Sequence, residues 1–306
     1  MKRLGELGKF IKSLAIFLIA LLPVLIVSDY IYSRFFRDWN EANMSIWKDV
    51  MEGEASASLL VSGDSRANTD CYPPVIDSIT GMRSYTLGVI GHHFSVQKLR
   101  YDMYRRCNEK PEVVVQLVDP WFFDGISMYD RAQFLPWMWN GAFLKGLLSL
   151  EPRTFVTKLI PWSRYHGKHL CENKPSIKIE RGFITYKPKK VQKYSEESMG
   201  FRENPRNEKM FREYLTGLSN DGIKVVFVLA PIYGSLSYKE STLQGTRDYF
   251  NSVAREYGIP VLDYLQRPSF EDSTLFMDSV HLNKKGARVF SDSLANDIIS
   301  LGLISN

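Results

Sequence analysis

Two hydrophobic patterns divide this chain. Near the N-terminus an uncharged run, SLAIFLIALLPVLIVS, fills residues 13–28 between Lys12 and Asp29. Farther along, short apolar runs alternate with segments in which apolar residues recur at helical spacing. The first pattern is typical of a membrane-spanning helix, and the second is typical of an α/β domain.

The uncharged run is slightly short for a membrane span. At about 1.5 Å per residue it covers about 24 Å, whereas the hydrocarbon core is about 30 Å thick. Apolar and aromatic residues at 10–11 and 30–32 close the gap, because Lys12 can snorkel to the interface. A transmembrane helix also tolerates Pro23. We therefore predict a retained anchor; a cleaved signal peptide is the alternative, but no A-x-A-like site follows the run.

Basic residues are denser before the run than after it. Those before it are Lys2, Arg3, Lys9 and Lys12, and those soon after it are Arg34 and Arg37. The positive-inside rule then places the N-terminus in the cytoplasm and the rest of the chain outside. We predict an anchor at residues 1–35 and a folded domain at 36–306.

Five short, continuous, β-branched runs predict buried parallel strands. They cover residues 58–63, 83–89, 112–119, 223–231 and 259–264, and helical patterns cover 94–109, 205–221, 243–258 and 283–301. This alternation predicts a flavodoxin-like three-layer α/β/α fold with a five-stranded parallel sheet in the order 2-1-3-4-5. Functional sites of such sheets lie beyond the carboxyl ends of the strands.

One segment interrupts the alternation between the third and fourth strands. Residues 120–204 show no strand–helix repeat; aromatic residues crowd the first part, and basic residues follow from His166 to Lys193. This insertion is compatible with a cap over the site, a contact with the membrane surface, a partner-binding surface or an ordinary packed subdomain.

Composition narrows the function classes. Hydrophobic residues make up 44% and charged residues 24% of the 306 positions, which is typical of a folded protein. The net charge of +5 is mild and scattered, and no nucleic-acid-binding motif accompanies it. The three cysteines, Cys71, Cys107 and Cys171, form no C-x-x-C pair, which argues against a zinc or thioredoxin-like site. One disulfide is permitted outside the cytoplasm, and the sequence leaves its pairing open.

Two short motifs carry candidate chemistry. The tetrapeptide Gly-Asp-Ser-Arg at 63–66 ends the first predicted strand, where an ordinary helix cap is the simple explanation. Near the other end, MDSVHLNKKGARVFS places Asp278 three residues before His281. Such a carboxylate can fix the imidazole tautomer and leave the other ring nitrogen to take a proton from a serine. A parallel sheet would bring Ser65 and this turn to one rim.

These motifs resemble the first and last blocks of the SGNH/GDSL-type hydrolases: GDS after the first strand, and D-x-x-H-L-N-x-x-G-x-x-x-F-S before the last helix. The resemblance covers residues 58–119 and 223–302 and leaves out the insertion. It implies an ester hydrolase that needs no cofactor or metal. It further implies that Ser65 is the nucleophile, His281 the base and Asp278 the residue that orients the base.

The resemblance also implies an oxyanion hole. In this family the donors are the serine backbone N–H, a glycine N–H after strand 2 and an asparagine in a G-x-N-D block after strand 3. Ser65 supplies the first, and Gly88 of TLGVIG, rather than Gly91, matches the second. The third block reads LVDPW, where an ionised Asp119 cannot donate. Either Arg66, His92 or the Trp121 indole substitutes, or activity is low or absent.

The anchor, the outward-facing domain and the missing G-x-N-D block are similar in architecture to the Dlt-type D-alanylation and alginate-acetylation accessory proteins of bacterial envelopes. That similarity implies a location in the inner membrane with a periplasmic body, an acylated glycan or cell-envelope polymer as substrate, and a membrane-bound O-acyltransferase as partner. Two hypotheses follow: a serine-dependent esterase or O-acyltransferase, and a catalytically weak component for binding or assembly.

Overall fold

The computed structural model describes residues 2–37, 42–91, 93–123, 131–165, 179–185, 204–233 and 239–304. Two of the residues discussed above, His92 and Cys171, lie outside these ranges, as does most of the basic part of the insertion. The chain divides into two compact units. The first contains the described residues up to Arg37 together with 131–165, and the second contains the remainder. The predicted domain limits, 1–35 and 36–306 with an insertion at 120–204, stay predictions.

The helices and strands follow one another along the chain in these positions. The α-helices are α1 (Lys2–Phe36), α2 (Ala42–Glu52), α3 (Ser65–Asp70), α4 (Pro73–Thr80), α5 (Phe94–Cys107), α6 (Gly141–Leu150), α7 (Pro152–Phe155), α8 (Pro205–Asn220), α9 (Glu240–Tyr257) and α10 (Lys284–Ser300). The strands are β1 (Leu59–Ser62), β2 (Ser84–Thr86), β3 (Val113–Leu117), β4 (Ile179–Glu180), β5 (Phe183–Ile184), β6 (Lys224–Leu229) and β7 (Val261–Asp263).

The first unit is built on α1, which continues through Pro23 without ending. Within the described residues, its segment Glu6–Phe36 is the helix long and apolar enough to cross a membrane. Most side chains before Ser28 are exposed, whereas Asp29, Ser33 and Phe36 are buried. The helix is therefore apolar and uncovered in its first two-thirds, and packed against protein in its last turns.

The second unit contains the predicted parallel sheet. Its strands lie in the order β2-β1-β3-β6-β7, and each neighbouring pair is parallel. Since β4 and β5 form a separate antiparallel hairpin, this order is the predicted 2-1-3-4-5. The flavodoxin-like α/β/α prediction is thus confirmed.

Helices cover both faces of the sheet. Alternate strand residues such as Val61, Val115 and Val226 belong to one core with α3, α4 and α10. On the opposite face, Phe227 packs against Phe211 of α8 and Phe250 of α9. Because both faces are buried, the strands read as continuous apolar runs rather than as alternating ones.

Several short elements of the second unit were not predicted from the sequence. Helices α3 and α4 follow β1 directly; Pro73 begins α4 at a position where its missing N–H costs no hydrogen bond. The hairpin β4–β5 lies inside the predicted insertion and attaches to the outer edge of β2, where Thr86 N–H donates to the Arg181 carbonyl at 3.0 Å. Cys71 and Cys107 carry free thiols.

Candidate active site

The Gly-Asp-Ser-Arg turn connects the carboxyl end of β1 to α3. Asp64 is the N-cap of α3, because its Oδ1 accepts the Arg66 backbone N–H at 2.9 Å. Its Oδ2 accepts the Trp121 indole N–H at 2.8 Å. Ser65 is then the first residue of the helix, and it is only partly buried. The acid therefore shapes the turn, and the hydroxyl is left at the sheet rim.

The Asp278–His281 turn is built as the spacing predicts. Asp278 Oδ1 accepts the backbone N–H groups of Val280 and His281, at 3.0 and 2.9 Å. The same carboxylate contacts His281 Nδ1, with Oδ2 at 2.9 Å. Tyr233, just after β6, donates its backbone N–H to the Ser279 carbonyl at 3.0 Å. One carboxylate thus fixes both the backbone of the turn and the plane of the imidazole.

The residues after His281 explain the rest of the second motif. Asn283 caps α10 through the backbone N–H groups of Lys285 and Gly286, at 2.9 and 3.1 Å. A Cβ at Gly286 would lie 2.1 Å from the Leu275 carbonyl oxygen, so only glycine fits there. Ser291 Oγ accepts the Tyr72 backbone N–H at 2.7 Å, which ties α10 to the start of α4.

The structure brings the three predicted catalytic side chains together. Ser65 Oγ lies 2.8 Å from His281 Nε2, although 216 positions separate the two residues. A carboxylate can only accept hydrogen bonds, so Nδ1 carries the proton that faces Asp278. In the neutral ring Nε2 is then the acceptor, and the Ser65 hydroxyl donates to it.

Neighbouring carboxylates set the charge state of the imidazole. Burial alone would lower the pKa of His281, but the hydrogen bond and charge of Asp278, followed by the charges of Asp70 and Asp64, raise it above its ordinary value. The pKa of Asp278 is lowered: burial raises it, and the hydrogen bonds and charge of His281, together with the Val280 backbone N–H, outweigh burial. The arrangement therefore stabilises an imidazolium, which is the state that a general base reaches after taking a proton.

Asp70 is a site residue that was not predicted from the sequence. It ends α3 and is fully buried, and its Oδ1 accepts the Leu282 backbone N–H and the Thr69 hydroxyl, at 2.9 and 2.8 Å. Within the described residues its Oδ2 has no hydrogen-bond partner. Burial raises the pKa of Asp70 to about 7, against the lowering effect of His281. Nothing in the sequence marks this aspartate apart from its place five residues after Ser65.

Gly88 lies against the Ser65 turn, as an oxyanion-hole glycine would require. A Cβ at Gly88 would come within 2.4 Å of the Asp64 carbonyl oxygen and 2.6 Å of Asn68 Oδ1. The Gly88 carbonyl accepts hydrogen bonds from Asn68 Nδ2, at 2.9 Å, and from the buried Arg100 guanidinium. The close approach explains the glycine, and the two donors hold its peptide in place.

The third block contains a buried charge network in place of an asparagine. Arg66 is fully buried with Nη2 3.5 Å from Asp119 Oδ2 and Nε 3.8 Å from Asp64 Oδ1. Its guanidinium also lies over the Trp121 ring, 5.1 Å from the centroid. Burial and the charge of Asp64 raise the pKa of Asp119 well above its ordinary value, although Arg66 lowers it.

This network bears on the three donors predicted as substitutes for the asparagine. The single indole hydrogen of Trp121 is donated to Asp64, so the structure does not offer it to an oxyanion. The Arg66 guanidinium lies among Asp64, Asp119 and the indole ring. His92 lies outside the described residues. The remaining predicted donors are the backbone N–H groups of Ser65 and Gly88.

Similarity to known proteins says little about the roles of these residues. No family model matches the chain, and no curated protein matches it. Three solved structures with provisional descriptions are similar to it. A lipolytic protein of the G-D-S-L family from Desulfitobacterium hafniense is 14% identical, with a TM-score of 0.42, over 78% of this chain and 97% of that chain.

The other two are similarly distant. An acylhydrolase from Bacteroides fragilis is 14% identical, with a TM-score of 0.38, over 80% of this chain and 87% of that chain. A lipase from Chitinophaga pinensis is 11% identical, with a TM-score of 0.39, over 81% of this chain and 100% of that chain.

Proposed function

We propose that this protein is a serine-dependent acyl esterase or O-acyltransferase that acts on an acylated glycan or polymer of the cell envelope. The observation that carries the proposal is the continuous contact from Ser65 Oγ to His281 Nε2 at 2.8 Å and from His281 Nδ1 to Asp278 at 2.9 Å. A helix cap alone needs none of these contacts. The resemblance of both motifs to the SGNH/GDSL-type hydrolases supports the same chemistry.

The reaction begins with proton transfer from Ser65 to His281. As Oγ attacks the ester carbonyl, Nε2 takes the hydroxyl proton and the imidazolium is stabilised by Asp278. Collapse of the tetrahedral intermediate breaks the ester C–O bond, and the imidazolium returns the proton to the leaving alcohol. A water molecule or a glycan hydroxyl then attacks the acyl-serine carbonyl and loses its proton to His281. The bond between the acyl carbon and Ser65 Oγ breaks, His281 returns the proton to Oγ, and an acid or a new ester leaves.

The backbone N–H groups of Ser65 and Gly88 would stabilise the oxyanion. With Asp119 bound into the Arg66 network, the side-chain donor of the third block is missing among the described residues. Loss of one such donor typically reduces the rate by about 10²–10³-fold. We therefore expect slow turnover, which suits an enzyme that transfers an acyl group within an assembly.

Covalent labelling tests the proposal. A fluorophosphonate probe phosphonylates an activated serine, so the full-length protein should be labelled and Ser65→Ala should not. Ser293→Ala, which changes a partly exposed serine of α10, is the matched control and should label normally. Equal labelling of wild type and Ser65→Ala would contradict the proposed nucleophile.

We propose the bacterial inner membrane as the location, with α1 as a single-pass anchor and the body in the periplasm. The apolar segment Glu6–Phe36 and the excess of basic residues before it support this topology. Protease added to spheroplasts should digest the body, whereas a cytoplasmic control protein survives. Protection of the body while a periplasmic control is cut would show the opposite orientation.

A second candidate function is a catalytically weak component that positions a polymer or a membrane-bound O-acyltransferase. The charge network at Asp119 favours it, because the oxyanion donor of that block is absent. The two candidates differ in one measurement. An enzyme loses its envelope function with Ser65→Ala, whereas a binding component retains it.

A further inference from the structure

Four exposed apolar side chains lie in a short segment that is attached to the last turns of α1. They belong to the segment between α7 and Tyr165 in the first unit, and they are Val156, Leu159, Ile160 and Trp162. Ile160 is 63% exposed and Trp162 is 40% exposed. Basic side chains border this apolar segment: Arg153 is exposed, and Lys158 donates from Nζ to the Ser163 carbonyl at 3.0 Å.

Hydrogen bonds fix the segment to one level of α1. The Trp162 backbone N–H donates to Asp29 Oδ1 at 2.8 Å, and its indole N–H donates to Ser28 Oγ at 2.9 Å. Arg164 lies 3.1 Å from Asp29 Oδ2 and neutralises this buried carboxylate. The Trp162 ring also packs on Tyr32, with centroids 5.0 Å apart.

Trp162 has a strained backbone conformation, and these contacts hold it in place. Its φ is 67°, in the left-handed region that bulky residues rarely adopt. Such conformations persist where the surroundings over-determine them, and they cluster at functional positions. Here the conformation leaves the Trp162 indole partly exposed, while the backbone N–H and the indole N–H of this residue both donate hydrogen bonds to α1.

The segment is attached to α1 at the position along the helix axis that a membrane surface would occupy. Along the helix axis Ser28 is about 24 Å from Lys12 and about 29 Å from Lys9, at about 1.5 Å per residue. The hydrocarbon core is about 30 Å thick. If the lysines mark one boundary of this core, as the proposed topology requires, Ser28 and Trp162 mark the other.

We infer that residues 156–162 form a second, interfacial anchor that inserts into the outer leaflet of the same membrane that α1 spans. The inference rests on the proposed single-pass topology. Most apolar side chains of α1 between Glu6 and Ser28 are exposed and face lipid in this topology. The segment attached at Ser28 and Asp29 adds further exposed apolar side chains at the same end of the span. An indole with a bonded N–H and an exposed ring is the side chain that suits the interface.

Depth-dependent fluorescence quenching tests the inference. The full-length protein is reconstituted into phosphatidylcholine–phosphatidylglycerol vesicles whose acyl chains carry bromine just below the glycerol backbone. Trp162→Phe should lose the larger part of the bromine-dependent quenching. Trp47→Phe is the control, because Trp47 is fully buried in the second unit, and it should leave that quenching unchanged.

A variant that keeps Trp162 makes the test independent of the folding of Trp162→Phe. Ile160→Trp adds an indole to the segment and should increase the quenching by shallow bromines more than by bromines at the bilayer centre. Unchanged quenching in both variants would overturn the inference, and would favour a partner protein as the cover of this segment.

Alkaline extraction separates this inference from the proposed topology. If the protein stays in the membrane pellet but the two variants show no change in quenching, α1 is an anchor and the interfacial segment is not. If carbonate releases the protein, the anchor itself is wrong, and the inference falls with it.

Discussion

Asp70 Oδ1 accepts the backbone N–H of Leu282 at 2.9 Å, across 212 positions of sequence. Asp70 ends the helix that begins with Ser65, and Leu282 follows His281 directly. This one carboxyl group therefore connects the element carrying the proposed nucleophile to the turn carrying the proposed base. It also contributes to the raised pKa of His281.

The pH dependence of labelling should report that influence. A base is active when neutral, so fluorophosphonate labelling of wild type should fall as pH drops through a His281 pKa above the ordinary value of about 6.5. Asp70→Asn keeps the acceptor for Leu282 and removes the negative charge. The inflection should therefore move to lower pH. An unmoved inflection would show that Asp70 has a structural role alone.

The same variant should change how stability depends on pH. Folding raises the pKa of Asp70 to about 7, so the native state favours the protonated acid. The ionised Asp70 therefore destabilises the native state. This destabilisation is absent below about pH 4, which is the pKa of an aspartate in the unfolded chain; it grows as the pH rises and is complete above about pH 7. Asp70→Asn should thus match wild type near pH 4 and exceed it by about 4 kcal/mol near pH 8, since the shift is about 3 pKa units at about 1.4 kcal/mol each. Urea unfolding in mild detergent at both pH values measures this difference.

Gly88→Ala should damage the site. A Cβ there meets the Asp64 carbonyl oxygen and the Asn68 side chain, and one of them must move. We expect a loss of about 1–3 kcal/mol of stability and slower probe labelling, because the Ser65 turn shifts. Gly217→Ala on α8 is the control, since nothing lies within 4 Å of its added methyl group. That control should be neutral or stabilising. Normal labelling of Gly88→Ala would remove Gly88 from the proposed oxyanion hole.

Arg66→Met should leave Asp64 and Asp119 buried without their cation. Breaking a buried charge network in this way costs about 3–5 kcal/mol, which thermal unfolding should reveal as a large drop in Tm. Adding Asp119→Asn should recover part of the loss, because the buried Asp119 carboxyl, whose pKa is already raised, destabilises the fold without its cation whether it ionises or takes up a proton. Arg288→Met, which changes an exposed arginine of α10, should stay near wild type. No recovery in the double variant would mean that Arg66 acts mainly through its packing on Trp121.

The Asp29–Arg164 pair should hold the first unit together. Arg164→Met strands a buried carboxylate on α1 and should speed tryptic cleavage at the exposed Lys145 at least about 10-fold. Asp29→Asn combined with Arg164→Met should restore much of the resistance. Arg153→Met, at an exposed position, is the control. Equal cleavage of wild type and Arg164→Met would show that ring packing alone stabilises this unit.

The sheet could be predicted from sequence because burial on both faces leaves continuous β-branched runs. The run at 112–119 became β3 at Val113–Leu117, and the run at 223–231 became β6 at Lys224–Leu229. Parallel topology then fixed the strand order and the rim on which Ser65 and His281 meet. Each predicted run extended one to three residues beyond the strand at either end, since strand ends continue as apolar loop.

The supporting residues of the site could not be predicted in this way. Asp70, Asn68 and Arg100 are polar side chains whose importance depends on complete burial, and burial follows from packing between distant elements. Asp119 lies just after β3, where the sequence placed it, but its partner was hidden. The sequence shows Arg66 beside Ser65 and gives no sign that its guanidinium lies against Asp119.

The hairpin β4–β5 has a consequence for how the protein meets other chains. Strand β2 would otherwise end the sheet with unpaired backbone groups, and such edges recruit foreign strands. Thr86 instead donates its N–H to Arg181, and Arg181 bonds back to Asp77 through its guanidinium. The approach is close enough that a Cβ at Gly182 would lie 1.9 Å from the Thr86 carbonyl oxygen. A segment of the chain itself thus occupies the place at which an aggregating neighbour would otherwise dock.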